Sequence, residues 1–188
     1  MADFSVSAIH IGSLGNIDTL QAISGIIAQH SNIPIVLNLI PAAHPWTKRN
    51  SHLAAMIENQ LLPLAKIVIL DSEEAKSLSV CGDSNDAYAA SLMAIGCEYL
   101  LVQHAHKNTF VSYNEHGLSH EYHCGTTAAD HNIIRAHAAC SISAYVAHQL
   151  PISDSIQQGL RFAEKAHQAA RTIGHGKTIH NRLFWAEK

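Results

Sequence analysis

An α/β fold, built on a mostly parallel sheet with helices on both faces and an antiparallel hairpin near the edge, is predicted by three features of this 188-residue chain. Short apolar runs alternate with amphipathic helical segments through the first half of the sequence. A polar alternating stretch around a turn follows, and the remainder reads as helix.

Ser5 to Ile11 alternates and runs into Gly12-Ser13-Leu14-Gly15, while Ile33 to Ile40 is an apolar run closed by Pro41, so each reads as a strand. Between them Asn16 is placed to cap a helix whose Ile17, Leu20, Ile23, Ile26 and Ile27 form one apolar stripe. The pattern repeats with a helix over Ser51 to Leu62, a strand Ala65 to Leu70, a helix-rich stretch Ser72 to Ala94 and a strand Glu98 to Gln103. Continuous apolar strands of this kind suit a parallel sheet covered on both faces. Phe110 to Tyr113 and Leu118 to Tyr122 alternate around Asn114-Glu115-His116-Gly117, the pattern of a hairpin. Ala136 to Leu150 and Ser153 to Ala170 read as helices, the second stopped by Gly174 and Gly176.

A hydrophobic content of 47% over 188 residues fits one domain, residues 1–188, with a substantial core. No run approaches the roughly 20 apolar residues of a membrane helix, and Met-Ala-Asp-Phe-Ser does not open a secretory leader, so a cytoplasmic protein is expected. Net charge is −3 with Lys and Arg scattered, which gives no footprint for nucleic acid or anionic lipid. Cys81, Cys97, Cys124 and Cys140 lie far apart and read as reduced thiols. Histidine is the unusual component: 15 residues against 12 Lys and Arg together. His104 with His106, or His116, His120, His123 and Cys124, are candidate ligands for zinc or copper, against a general bias that also puts histidine on the predicted helices.

Several segments, in order, resemble one family. Ile9-His10-Ile11-Gly12-Ser13-Leu14-Gly15 resembles a strand ending K-I-G-M-L-G, and Ile35-Val36-Leu37-Asn38-Leu39-Ile40 resembles V-L-D-P-V-M. Leu61-Leu62-Pro63-Leu64-Ala65 followed by Asp71-Ser72-Glu73-Glu74-Ala75 resembles L-L-P-L-A and N-x-x-E-A. Val102-Gln103-His104-Ala105-His106 resembles V-K-G-G-H, Cys140-Ser141-Ile142-Ser143-Ala144 resembles C-T-L-S-A, and Gly174-His175-Gly176 with Asn181 resembles the terminal G-H-G-P-L-N. These are segments of the hydroxymethylpyrimidine and phosphomethylpyrimidine kinases of thiamine biosynthesis, in the ribokinase-like superfamily.

The resemblance covers nearly the whole chain but begins after the family's first strand, glycine-rich turn and lid. It therefore implies a shortened ribokinase-like domain with an exposed sheet edge and a homo-oligomer, a dimer by default. It also implies ATP, Mg²⁺ and a small pyrimidine as ligands. Phosphoryl transfer needs a base, N–H donors for the phosphate and a metal ion. Cys140 stands at the base position, at the start of an apolar helix whose dipole favours thiolate, or else is a buried helix cysteine. His137-Ala138-Ala139 stands where the family has the G-T-G of its anion hole. Two alanines weaken backbone approach to phosphate and let the helix extend backward. Glu74 is the implied Mg²⁺ organiser with Asp71 beside it, or else the two open a helix. Gln103 replaces the nucleotide-contacting lysine and Asn38 a carboxylate. Losses converging on one site imply impaired or lost kinase activity. The alternatives are a non-catalytic binding or regulatory protein of the same fold and a histidine-rich metal binder.

Overall fold

The computed structural model describes residues 5–14, 16–39, 52–79, 82–125, 131–175 and 178–186. Expectations placed on Met1 to Phe4, Gly15, Ile40, Pro41, Ser51, Cys81 and Gly176 lie outside the described residues. The strands are β1 Ile9–Ile11, β2 Ile35–Asn38, β3 Ile67–Asp71, β4 Tyr99–His104, β5 Thr109–Asn114 and β6 Gly117–His123. They form one six-stranded sheet in sequence order, parallel from β1 to β4 and antiparallel from β4 to β6. The helices are α1 Ile17–Ala28, α2 His52–Gln60, α3 Ser72–Leu78, α4 Asn85–Met93, α5 His131–Ala147 and α6 Ile152–Gln168.

Parallel neighbours are joined by right-handed crossovers, so a sheet growing in one direction puts every crossover helix on one face. The packing agrees: Leu20 and Ile27 of α1, Ile57 of α2, Leu78 of α3 and Leu92 of α4 share a core with Leu37, Leu70, Leu100 and Val102. The opposite face, carrying Val36, Ile67, Ile69 and Leu101, is left for α5 and α6, which lay Ile134, Ala138, Ile142, Ile156, Leu160 and Ala163 on it. Side chains alternate along a strand, so Asn38, Asp71 and Gln103, two residues beyond Val36, Ile69 and Leu101, belong to the α5 face. They stand at the C-terminal end of the parallel strands, where open α/β sheets bind ligands.

Local chemistry explains the boundaries. The Asn16 Oδ1 accepts from Thr19 N at 2.8 Å, the expected cap of α1. In the hairpin, Asn114 Oδ1 accepts from His116 N at 2.9 Å, and Gly117 supplies a φ of 94° at the first residue of β6. One boundary moves substantially: α5 starts at His131, not Ala136. No Gly or Pro stands between His131 and Cys140, and burying Ile134 and Arg135 extends the helix's inner face by more than a turn. β1 is shorter than the alternation of Ser5 to Ile11, pairing with β2 only over Ile9 to Ile11. Among the described residues no helix is long and apolar enough to cross a membrane.

Candidate functional site

The junction of β3 and α3 holds a dense polar arrangement. Asp71 ends β3 and caps α3: its Oδ1 accepts from Glu74 N at 2.8 Å, and Glu74 Oε2 accepts from Asp71 N at 2.7 Å, a reciprocal capping box. From α5, Arg135 reaches over the sheet end and clamps Glu74, Nη1 to Oε2 at 2.6 Å and Nη2 to Oε1 at 2.9 Å. Its Nη1 also lies 3.5 Å from Asp71 Oδ2. Arg135 is 0% and Glu74 1% exposed, so this bidentate pair is shielded from solvent. Burial pushes the Glu74 carboxyl up to about 6, against the downward pull of the Arg135 hydrogen bonds and charge. Beside it, Gln103, the register partner of Asp71, donates from Nε2 to the His131 carbonyl at 3.1 Å, and the His131 Nε2 meets Asn108 Oδ1 at 3.0 Å. Asn38 Oδ1 and Arg135 Nε are buried without a hydrogen-bond partner.

The second region lies further along α5. Cys140 occupies the third turn, with Sγ 3.7 Å from Nδ1 of His10 on β1. Burial raises this thiol above its ordinary value, although Arg182 pulls it down, and burial lowers His10. The pair is therefore thiol and neutral imidazole near pH 7, not the thiolate that a helix start would favour. One turn earlier, His137 Nδ1 is 3.3 Å from His180 Nδ1, and His180 Nε2 is 3.2 Å from His167 Nδ1. His180 therefore links His137 and His167 through its two ring nitrogens. Burial, then His180 and Arg182, lower His137. An apolar-walled cavity of about 320 Å³ opens here, lined by His137, Cys140, Tyr145, Phe162 and Arg182 among others.

The sequence pattern of the family described as phosphomethylpyrimidine kinase matches residues 1–181. The chain belongs to the phosphomethylpyrimidine kinase family. Two hydroxymethylpyrimidine/phosphomethylpyrimidine kinases of Staphylococcus aureus, from strains Mu50 and N315, are each 23% identical over 203 aligned residues, covering 96% of this chain and 70% of the relative. The Bacillus subtilis pyridoxal kinase in its ADP complex superposes with a TM-score of 0.80 at 16% identity, covering 100% of this chain and 74% of that one. The phosphomethylpyrimidine kinase of Clostridium difficile 630 superposes at 0.68 with 13% identity, over 86% and 68% of the two chains. These solved structures establish the ribokinase-like fold.

Within this family frame, the residues singled out in the sequence fall into the two regions just described. Asp71, Glu74 and Gln103 come together at the first. Cys140 and His137 flank the cavity of the second, while Ala138 and Ala139 are 0% exposed and pack on the sheet. Because α5 begins at His131, the N–H groups of His137, Ala138, Ala139 and Cys140 fall beyond its first four residues and serve the helix's own ladder. The carboxylates do not fit a magnesium ion: both Glu74 oxygens and Asp71 Oδ1 already accept hydrogen bonds, and a buried guanidinium stands against the pair. Among the described residues no three His, Cys, Asp or Glu side chains converge as a metal-binding group. Arg135 was not legible as a site residue, although a lone cation in Ile-Ile-Arg-Ala-His-Ala-Ala is the signal that marks it. The pairing of His137 with His167 and His180 had no sequence signal, since 15 histidines offer many combinations.

Proposed function

We propose that this chain is a phosphomethylpyrimidine kinase-family protein in which ATP-dependent phosphorylation of a hydroxymethylpyrimidine or its phosphate is impaired or lost, and which works by binding a small ligand. The observation that carries this reading is the uninterrupted run of α5 through His137, Ala138, Ala139 and Cys140. N–H groups inside a helix ladder are not available to a transferred phosphate. The environment of Cys140 supports the same reading, because a protonated thiol beside a neutral imidazole is a poor base for a substrate hydroxyl.

Nucleotide remains the ligand class to test first. The Staphylococcus aureus pyridoxal kinase has been solved with AMP-PCP and pyridoxal, and the Bacillus subtilis enzyme with ADP. A homodimer acting in the cytoplasm goes with this reading, supported by the free thiols of Cys97, Cys124 and Cys140 and by β1 at the sheet edge.

The test is ATP turnover with hydroxymethylpyrimidine and its phosphate, run beside a Staphylococcus aureus relative. Loss of one oxyanion-type donor costs about 10²–10³ in kcat. Turnover at least about 10³-fold below the relative is expected, and turnover within tenfold of it would restore an active kinase. Thermal shift with AMP-PCP and with hydroxymethylpyrimidine then reports which ligand is held.

A further inference from the structure

We infer that Arg135 is a built-in cation that permanently occupies the Asp71–Glu74 carboxylate pair, so that this end of the sheet is closed to divalent metal. The geometry is that of saturation. Glu74 Oε2 accepts from Asp71 N at 2.7 Å and Arg135 Nη1 at 2.6 Å, and Glu74 Oε1 accepts from Arg135 Nη2 at 2.9 Å. Asp71 Oδ1 is taken by Glu74 N at 2.8 Å, which leaves Oδ2, itself 3.5 Å from the guanidinium. A divalent ion binding at Glu74 would have to break a capping box or displace a guanidinium that has 0% exposure. If the guanidinium stayed, the ion would sit against a like charge in a poorly screened interior. Mg²⁺ keeps several waters in an octahedral shell, and those waters would compete with Arg135 and Asp71 N for the Glu74 oxygens that these groups already hold.

Arginine is suited to this position in a way lysine is not. Its planar fork meets both oxygens of one carboxylate at once, and its charge persists at any pH a protein meets. The two carboxylates at the β3–α3 junction are thus held together by a side chain of α5. The inference goes beyond the loss of phosphoryl transfer and is read with metal alone, so failure of either claim is separable from the other.

The experiment is Mn²⁺ binding by electron paramagnetic resonance, with the thermal midpoint followed in Mg²⁺ and in EDTA. For the unmodified protein the expected result is no stoichiometric Mn²⁺ at millimolar concentration and the same midpoint in both buffers. Arg135→Gln keeps donors facing Glu74 but removes the charge, and is expected to gain a single Mn²⁺ site at least tenfold tighter than the unmodified protein shows. A stoichiometric Mn²⁺ site in the unmodified protein that Glu74→Gln abolishes would overturn the inference. So would a folded Arg135→Gln that gains no Mn²⁺ affinity. If that variant does not fold, the measurements on the unmodified protein and Glu74→Gln decide the question.

Discussion

Two neighbouring stretches of α5 treat polar groups in opposite ways. Near its start, Arg135 and Glu74 are bidentate hydrogen-bonded partners sealed at 0% and 1% exposure. Within the next turn and a half, His137 and Cys140 are only partly covered, are shifted toward their neutral forms and border a cavity. The first arrangement uses charge as a fastener between α5 and the β3–α3 junction. The second leaves ionisable groups within reach of solvent and ligand. Burial decides between them, because a charge without water needs a partner at hydrogen-bonding distance, whereas a half-exposed group can simply lose its charge.

The largest way to break this contrast is to remove the fastener. Arg135→Met leaves Glu74 buried beside Asp71 without a cation, and breaking a buried pair in this manner costs about 3–5 kcal/mol. Denaturant titration should show that loss, and adding Glu74→Leu should recover much of it, because replacing both partners by apolar groups removes the orphaned charge. If the single and double variants prove equally unstable, the pair is not what holds α5 in place.

Next in size is the contact that seats α6 on α5. A Cβ at Gly159 would lie 2.4 Å from Ile142 Cγ1 and 2.8 Å from its backbone N, and Ser141 Oγ already donates to Gly159 O at 3.0 Å. Gly159→Ala should therefore destabilise by about 1–3 kcal/mol through overpacking. Gly25→Ala, in α1 with nothing within 4 Å, should instead stabilise by up to about 1 kcal/mol, since alanine is the better helix former. Thermal melts of the two variants shifting in opposite directions would check both contacts.

The pH profile sharpens the comparison further. His10, His104 and His137 are lowered from 6.5 mainly by burial, so the unfolded chain binds more protons at these positions. Their contribution is present above 6.5 and is lost as pH falls below it. Glu74 works in the other sense: raised from 4.5 to about 6, it favours the folded state below 4.5, and that contribution is lost as pH rises toward about 6. Between pH 7.5 and 6 stability should fall, and His137→Asn should flatten the decline. An unchanged slope in that variant would show that burial of His137 does not contribute to the decline.

The smallest effect concerns thiols. Cys97 and Cys124 are buried and pushed up to about 11, while Cys140 is exposed and raised less. Site-resolved mass spectrometry after alkylation at pH 8 should find Cys140 modified well before the other two, and Cys140→Ser should leave stability within about 0.5 kcal/mol. Faster labelling of Cys97 would mean that the core around α4 opens more readily than its packing implies.

The sequence by itself determined the order and type of the elements, because periodicity and capping are local. Alternating apolar runs, the Asn16 cap, the Asp71-x-x-Glu74 box and the Asn114 to Gly117 turn each act within a few residues. The order of short motifs was likewise enough to place the chain in its family, since collinearity survives when single residues drift. Tertiary structure alone decided what the site residues do. Arg135 and Glu74 stand 61 positions apart, and Cys140 and His10 are 130 apart. Whether a carboxylate faces a metal or a guanidinium, and whether a thiol is charged, follows from partners and burial that only the packing of α5 across the sheet brings about.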